Sequence, residues 1–241
     1  MKIFGDTHTH TLMSGHAHST IIENITEAKK KGHKFIALTD HTSAMPGSPH
    51  DSYFSCLWSA LPDSYDGVNI LRGCEANILD ENGTLDISDS ILESLEWVIA
   101  SIHSYITKPM GFLNHTKLWT RIAENENVDV IGHCGEEQFK FDYEKVIPLF
   151  AKYKKIVEIN NASFRTRPTS IKNCINIASL CVKHGVPLVV SSDAHFAADV
   201  GNVELALKYL KEGGIASENI LNTDPKRFAK FIELRLNRKF I

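Results

Sequence analysis

The histidines and acidic residues of this chain stand at the ends of short apolar runs, one run after another. The chain opens with Asp6-Thr7-His8-Thr9-His10, with His16 close behind. Thr39-Asp40-His41, Gly73-Cys74-Glu75, Ser101-Ile102-His103, Ile131-Gly132-His133 and Ser191-Ser192-Asp193-Ala194-His195 then follow in order. Imidazole and carboxylate are the ligands that suit zinc and its first-row neighbours. A single His-x-His could be a polar turn after a strand. The same chemistry repeated over about 190 residues requires a fold that gathers many strand ends in one place.

The runs read as strands at 2–4, 35–38, 68–71, 97–102, 128–131, 156–160 and 188–192. They alternate with helical segments near 19–31, 88–95, 116–124, 143–153, 170–184, 202–211 and 224–237. The first helix has a Ser/Thr cap, and Gly32 stops it. Asn82-Gly83 reads as a type I′ hairpin turn. The segment 42–67 reads as an irregular connection, with Tyr53, Phe54 and Trp58 expected to line the mouth of the site. Strands alternating with helices imply a parallel sheet. An open doubly wound sheet feeds its site from a few strands at a switch point. Here six of the seven strands end in a candidate ligand, as at the C-terminal mouth of a β/α barrel. The expected fold is α/β: a distorted seven-stranded β/α (TIM-like) barrel, one domain spanning 1–241.

Composition narrows the function. A chain of 241 residues, 43% hydrophobic and 23% charged, fits one large core. A formal charge of −3 gives no support to nucleic-acid binding. No stretch is long and apolar enough for a membrane span, and the chain enters its first strand with no room for a signal segment. Five cysteines without Cys-x-x-Cys argue against a disulfide framework and for the cytoplasm. A homo-oligomer is compatible with all of this.

His8 and His10 are two apart on a strand and face the same way, so both can chelate one ion. Asp6 continues that face as a partner for an imidazole N–H. Asp40, beside His41, is read as orienting an imidazole. Glu75 has two oxygens and is the natural bridge between cations. Cys74 and Cys134, next to Glu75 and His133, point the opposite way and read as buried small hydrophobes. Asp193 and His195 close the ring, and His18 competes with His16 as a ligand. His33, His50, His115 and His184 read as surface or helix-end residues, and Phe228, Phe231, Ile232 and Leu234 as barrel packing on the last helix.

Asp-x-His-x-His, Thr-Asp-His, Glu-Ala-Asn-Ile, Ile-Asn-Asn and Ser-Asp-Ala-His, in this order along the whole chain, resemble the PHP (polymerase and histidinol phosphatase) family. The likeness is strongest to its small stand-alone phosphatases of YcdX type. It implies a seven-stranded barrel with three metal ions, most often zinc, with Mn2+ or Fe2+ as alternatives. Carried over by position, His8, His10, Glu75 and Asp193 would bind one ion. Glu75 would bridge to a second, completed by His103 and His133, and His16, His41 and His195 would hold a third.

Three dications against two carboxylates would leave about +4 of charge, enough to hold a phosphate dianion and a hydroxide. The expected reaction is hydrolysis of a small phosphomonoester by a metal-bound hydroxide. His18 is a candidate acid, and Arg165 or Arg167, in a loop after the sixth strand, a phosphate donor. The rival readings are a phosphodiesterase of the same family, an amidohydrolase-type C–N hydrolase and a barrel that binds metal without turnover. Amidohydrolases commonly bridge metals with a modified lysine, and no lysine stands at a ligand position here.

Overall fold

The computed structural model describes residues 1–236. Its strands are β1 (Gly5–Thr9), β2 (Phe35–Leu38), β3 (Ser64–Tyr65), β4 (Val68–Asn77), β5 (Trp97–Ser101), β6 (Val130–Ile131), β7 (Ile156–Asn160) and β8 (Leu188–Ser191). All except β3 lie side by side in chain order and pair in parallel, and β3 pairs antiparallel with the start of β4. The sheet curls into a nearly closed seven-stranded barrel, as expected. Residues alternate between its faces. Phe35, Ala37, Leu71, Trp97, Ile99, Val130, Ile156 and Val189 fill the interior, capped by Phe228 and Ile232 of the helix Pro225–Leu236. Val98, Ala100, Ile131, Val157, Ile159 and Val190 belong to the outer apolar layer, shared with the helices Phe112–Glu124, Tyr143–Lys152 and Ile171–His184.

β1 and β8 meet through groups outside a regular ladder. At the lower end the Asn222 amide donates to Gly5 O at 2.8 Å and Val190 O at 2.7 Å and accepts from Val190 N at 3.1 Å. At the upper end Asp193 N donates to His8 O at 3.0 Å and His10 N to Ala194 O at 2.9 Å.

Several local expectations are corrected. The first strand is Gly5–Thr9 rather than 2–4, so it carries His8 within it. β4 runs on to Asn77 and holds Glu75 in its body. Segment 42–67 contains the helical turns Ser52–Ser55 and Leu57–Ala60 as well as β3. Phe54 is buried in the core, the Tyr53 hydroxyl donates to Asp40 at 2.8 Å, and Trp58 lies against Arg72, so none of the three lines the mouth. Gly83 has φ of 76° but Asn82 is not left-handed, so the turn is not type I′. Instead the Asp80 carboxylate organises a wider loop, accepting from Asn82 N and Thr84 N. The helix Phe112–Glu124 starts earlier than expected and buries His115, whose Nε2 accepts from Met110 N at 2.9 Å. A short helix, Asn161–Thr166, stands where a loop was expected after β7. Leu234 is exposed rather than packed, and Asn237 lies outside the described residues. The five cysteines are free thiols, four of them buried. Among the described residues no helix is long and apolar enough to cross a membrane.

Candidate metal centre

Glu75 shares the inward face of β4 with Leu71, which carries it up the barrel axis to the C-terminal mouth. There five imidazoles surround its buried carboxylate. Oε1 lies 2.9 Å from His133 Nε2 and 3.3 Å from His103 Nε2. Oε2 lies 2.8 Å from His41 Nδ1, 3.2 Å from His8 Nε2 and 3.5 Å from His10 Nε2. Asp193 Oδ1 is 3.1 Å from His10 Nε2 and 3.6 Å from His8 Nε2. The His16 and His195 Nε2 atoms are 3.0 Å apart. All nine candidate ligands therefore meet in one cluster. Its compact triads are His8/His10/Glu75, His41/Glu75/His103 and His10/His41/His195. The last two differ from the groupings the resemblance implies, with His41 in the place of His133 in one and His10 in the place of His16 in the other.

The donor chemistry fits cations. His8 Nδ1 faces Glu158 Oε1 at 2.6 Å, His103 Nδ1 faces Asn77 Oδ1 at 2.8 Å and His195 Nδ1 faces Asp193 O at 3.0 Å. His10 Nδ1 is 3.0 Å from Ser14 Oγ, whose own proton goes to Asp40 at 2.6 Å. Each of these partners calls for a proton on Nδ1, which assigns the tautomer and leaves Nε2 with a bare lone pair. Two such lone pairs, on His8 and His10, then stand 3.0 Å apart with no exposure to water unless a proton or a cation lies between them. His41 Nδ1 and Glu75 Oε2 are buried without a hydrogen-bond partner. Cations between these atoms would remove both conflicts, and an N/O set without thiolate suits zinc, manganese or iron.

The electrostatics agree. Burial, with His41 and His195 close by, pushes the His10 pKa well down. Glu75 and Asp193 are held well below the carboxylate range, because the surrounding imidazoles outweigh their burial. His8 goes the other way. Burial lowers its pKa, but Glu158, Glu75 and Asp193 raise it well above the ordinary value, so the cluster demands positive charge.

The orienting groups were only partly anticipated. Asp40 does orient an imidazole, that of His10, through Ser14. Asp6 does not. Between Asp6 and Thr9 the β1–β2 register slips, so both pair with residues on the outer face of β2, Ile36 and Leu38. Asp6 thus turns away from His8 and His10 and accepts from Ser192 and from Gly201 N. Its expected role falls to Glu158, which also accepts from His133 N at 2.8 Å and from the Ser191 hydroxyl. A carboxylate inside the apolar run Ile156-Val157-Glu158-Ile159 was the available signal for it. Asp86 accepts from the Asn77 amide at 2.7 Å, which turns Asn77 Oδ1 toward His103. Asn160 Nδ2 donates to Asp193 at 3.1 Å. His133 and Asp193 both have positive φ, 21° and 58°, strained backbone of the kind found at functional sites. A side chain at Gly132 would collide with Ser101.

The cluster opens into a cavity of about 680 Å³ whose wall includes Met45, Pro46, Tyr105 and Phe196. His18 stands exposed on this wall, its backbone N–H donating to His195 O at 2.7 Å. Arg165 is exposed, 4.0 Å from Asp199. Arg167 is more enclosed. Glu136 pairs with its guanidinium, and its Nε is buried without a partner. Cys74 and Cys134 pack in the apolar core as expected, and burial pushes their thiols well up. Among the described residues no lysine lines the cavity.

The class so defined is a β/α barrel with a histidine- and carboxylate-rich centre at its C-terminal mouth. The family model described as the PHP domain matches residues 6–164, and the chain belongs to that family. It is 45% identical over 235 residues to a probable phosphatase of Thermoanaerobacter sp. (strain X514), covering 97% of this chain and 96% of that one. A probable phosphatase of Vibrio atlanticus (strain LGP32) is 39% identical over 237 residues, covering 98% and 95%. The crystal structure of histidinol phosphate phosphatase from Lactococcus lactis subsp. lactis, complexed with zinc, L-histidinol and phosphate, superposes with a TM-score of 0.62. It covers 90% of this chain and 95% of that one at 16% identity, a likeness of fold.

Proposed function

We propose that this protein is a metal-dependent phosphatase that hydrolyses small phosphomonoesters at a centre of three divalent ions, most simply zinc. The observation that carries the proposal is Glu75, a buried carboxylate with one orphaned oxygen, ringed by five imidazoles at the base of an open cavity. The names of the related phosphatases point the same way. When bound, the ions would supply Lewis acidity and lower the pKa of a water toward about 7.

The residues divide the work as follows. His8, His10, Glu75 and Asp193 would hold one ion, Glu75, His103 and His133 a second, and His16, His41 and His195 the third. The separation of the two sets between the two oxygens of Glu75 supports the bridging role. Arg167, braced by Glu136 and with Nε unspent, is better placed than Arg165 to donate to a phosphoryl oxygen. Arg165, paired with Asp199 at the rim, contacts the leaving group. His18, exposed on the wall and outside the cluster, is assigned to protonate the leaving oxygen.

Elemental analysis of protein purified without chelator, together with a screen of phosphomonoesters, phosphodiesters and amides, tests the proposal. Close to three divalent ions per chain and monoester turnover abolished by chelation are expected. Full activity after verified metal removal, or turnover confined to diesters or amides, would overturn it.

A further inference from the structure

The cavity above the metal centre, at about 680 Å³, is larger than a phosphate ion needs. Its wall would meet whatever the phosphoryl group is attached to. Two aromatic side chains stand on that wall, Tyr105 at 86% exposed and Phe196 at 55%. Each is tied to a candidate ligand. Tyr105 comes two residues after His103, in a turn where Ile106 N and Thr107 N both donate to His103 O, at 2.9 and 2.8 Å. Phe196 directly follows His195. Its carbonyl accepts from Asp199 N at 2.9 Å, and Ala197 N donates to Ser19 Oγ at 2.7 Å. The first turn follows β5 and the second follows β8. In the ring order β1-β2-β4-β5-β6-β7-β8 these strands are three steps apart, the widest separation that seven strands allow. The two rings therefore border one cavity from opposite sides of the mouth, on backbone already hydrogen-bonded in place.

The charges of the wall supply the second observation. Histidines aside, the charged side chains lining the cavity beyond the cluster are Arg165, Arg167 and Asp199. Arg165 faces Asp199 at 4.0 Å, and Arg167 is paired with Glu136. Counting Glu136, two guanidiniums are matched by two carboxylates, so the wall offers a charged leaving group no net attraction. The base is different, because bound ions there would receive a phosphoryl dianion. Met45 and Pro46 extend the apolar part of the wall. Aromatic rings left in water gain from burial, and they favour flat partners in offset or edge-on contact. Small-molecule pockets combine such apolar walls with a few polar groups that fix orientation.

We propose that the substrate is the phosphomonoester of an alcohol bearing a flat, uncharged ring, and that Tyr105 and Phe196 hold this ring between them. The proposal rests on the phosphatase reading above and names the class of leaving group for it. The cluster fixes the phosphoryl end of the ester, and the two aromatics select what hangs from it. Neither is assigned a contact with the phosphoryl group or with an ion.

Phosphonates, whose C–P bond a phosphatase does not hydrolyse, separate binding from turnover. Isothermal titration calorimetry on the metal-loaded protein compares methylphosphonate, benzylphosphonate and 2-aminoethylphosphonate, in the parent and in Tyr105→Ala/Phe196→Ala. Both rings are mostly exposed, so the variant should fold as the parent does, and metal analysis checks that its ions remain. Benzylphosphonate should bind the parent at least about tenfold tighter than methylphosphonate, as expected for burying an apolar ring between aromatic partners. The double variant should cut that ratio to about twofold or less, with methylphosphonate affinity itself within about twofold of the parent, since only the ring contacts are lost. Equal affinity of the parent for methyl- and benzylphosphonate would overturn the proposal and leave the phosphatase reading standing. So would an undiminished ratio in the variant, or tightest binding of 2-aminoethylphosphonate, which would mark a cationic leaving group. Failure of all three to bind would overturn the phosphatase reading, and the proposal with it.

Discussion

Glu158→Gln keeps the size of the side chain and changes only what it can accept. The carboxylate accepts hydrogen bonds from four neighbours: His8 Nδ1 on Oε1 at 2.6 Å, His133 N on Oε2 at 2.8 Å, the Ser191 hydroxyl, and Asn160 Nδ2 on Oε2 at 3.4 Å. An amide offers one oxygen and one NH2. The backbone N–H of His133 cannot reverse, so the oxygen should settle there and the NH2 should face His8. A proton on His8 Nδ1 would then meet another donor. The ring escapes by moving its proton to Nε2, the atom that points at Glu75, which removes it as a ligand. Keeping His8 as a ligand means tolerating a buried donor–donor contact, at about 1–3 kcal/mol. Groups that orient metal-bound histidines are worth about 10–100-fold in affinity, the same range in free energy. The expected result is a 10–100-fold weaker ion at the His8/His10 position, read by competition with a zinc-buffering chelator. Ser191→Ala, which removes only the hydroxyl donor, should change affinity by less than about fivefold, since a hydroxyl bond contributes roughly 1 kcal/mol or less. Three ions bound to Glu158→Gln with affinities within twofold of the parent would refute this tautomer argument.

Other outcomes follow from the same geometry. Glu75→Ala should deplete two ions, because one side chain serves two sets of imidazoles, and metal analysis after gel filtration reads this directly. His195→Ala should lose one ion and most turnover while its melting temperature stays within a few degrees of the parent, because the core beneath is apolar; full stoichiometry with normal turnover would make His195 a bystander. Arg167→Ala should raise KM for a phosphomonoester by about tenfold or more, the value of a charge-assisted hydrogen bond, whereas Arg165→Ala should alter the ranking of leaving groups. Chelation should lower the melting temperature by more than about 5 °C, since an ion present at 100 times its Kd stabilises by about 2.7 kcal/mol and each kcal/mol shifts a domain of this size by about 2–4 °C.

The strands and the candidate ligands at their ends were readable because both follow simple periodicities. Apolar residues two apart mark the interior of the barrel, and the same step leads past Gly73 and Ser101 to Glu75 and His103. What escaped depended on departures from that period, or on partners far apart in sequence. The register slip in β1 reverses the face of Asp6, and nothing within the first ten residues announces it. Glu158 was visible as an acid among apolar residues, but its role required knowing that β7 approaches β1 across the barrel. Asp86 reaches Asn77, and so His103, only because the chain folds back between Ile78 and Leu85. Tyr53, Phe54 and Trp58 looked like mouth residues because aromatic side chains in an irregular segment have no periodicity to place them.

The junction of β1 with β8 carries a consequence for how the chain is held together. Its upper contacts join residues 8 and 10 to residues 193 and 194, about three quarters of the chain apart. The same stretches donate His8, His10, Asp193 and His195 to the cluster. Bound ions would then act as a clasp between the first and last strands, offsetting the entropy of closing a very long loop. The barrel should be most prone to spring open along this line when the clasp is released. Amide exchange at His10 and Asp193 should accelerate on chelation well before exchange within β4 and β5, whose ladder is continuous from Gly73 to Asn77.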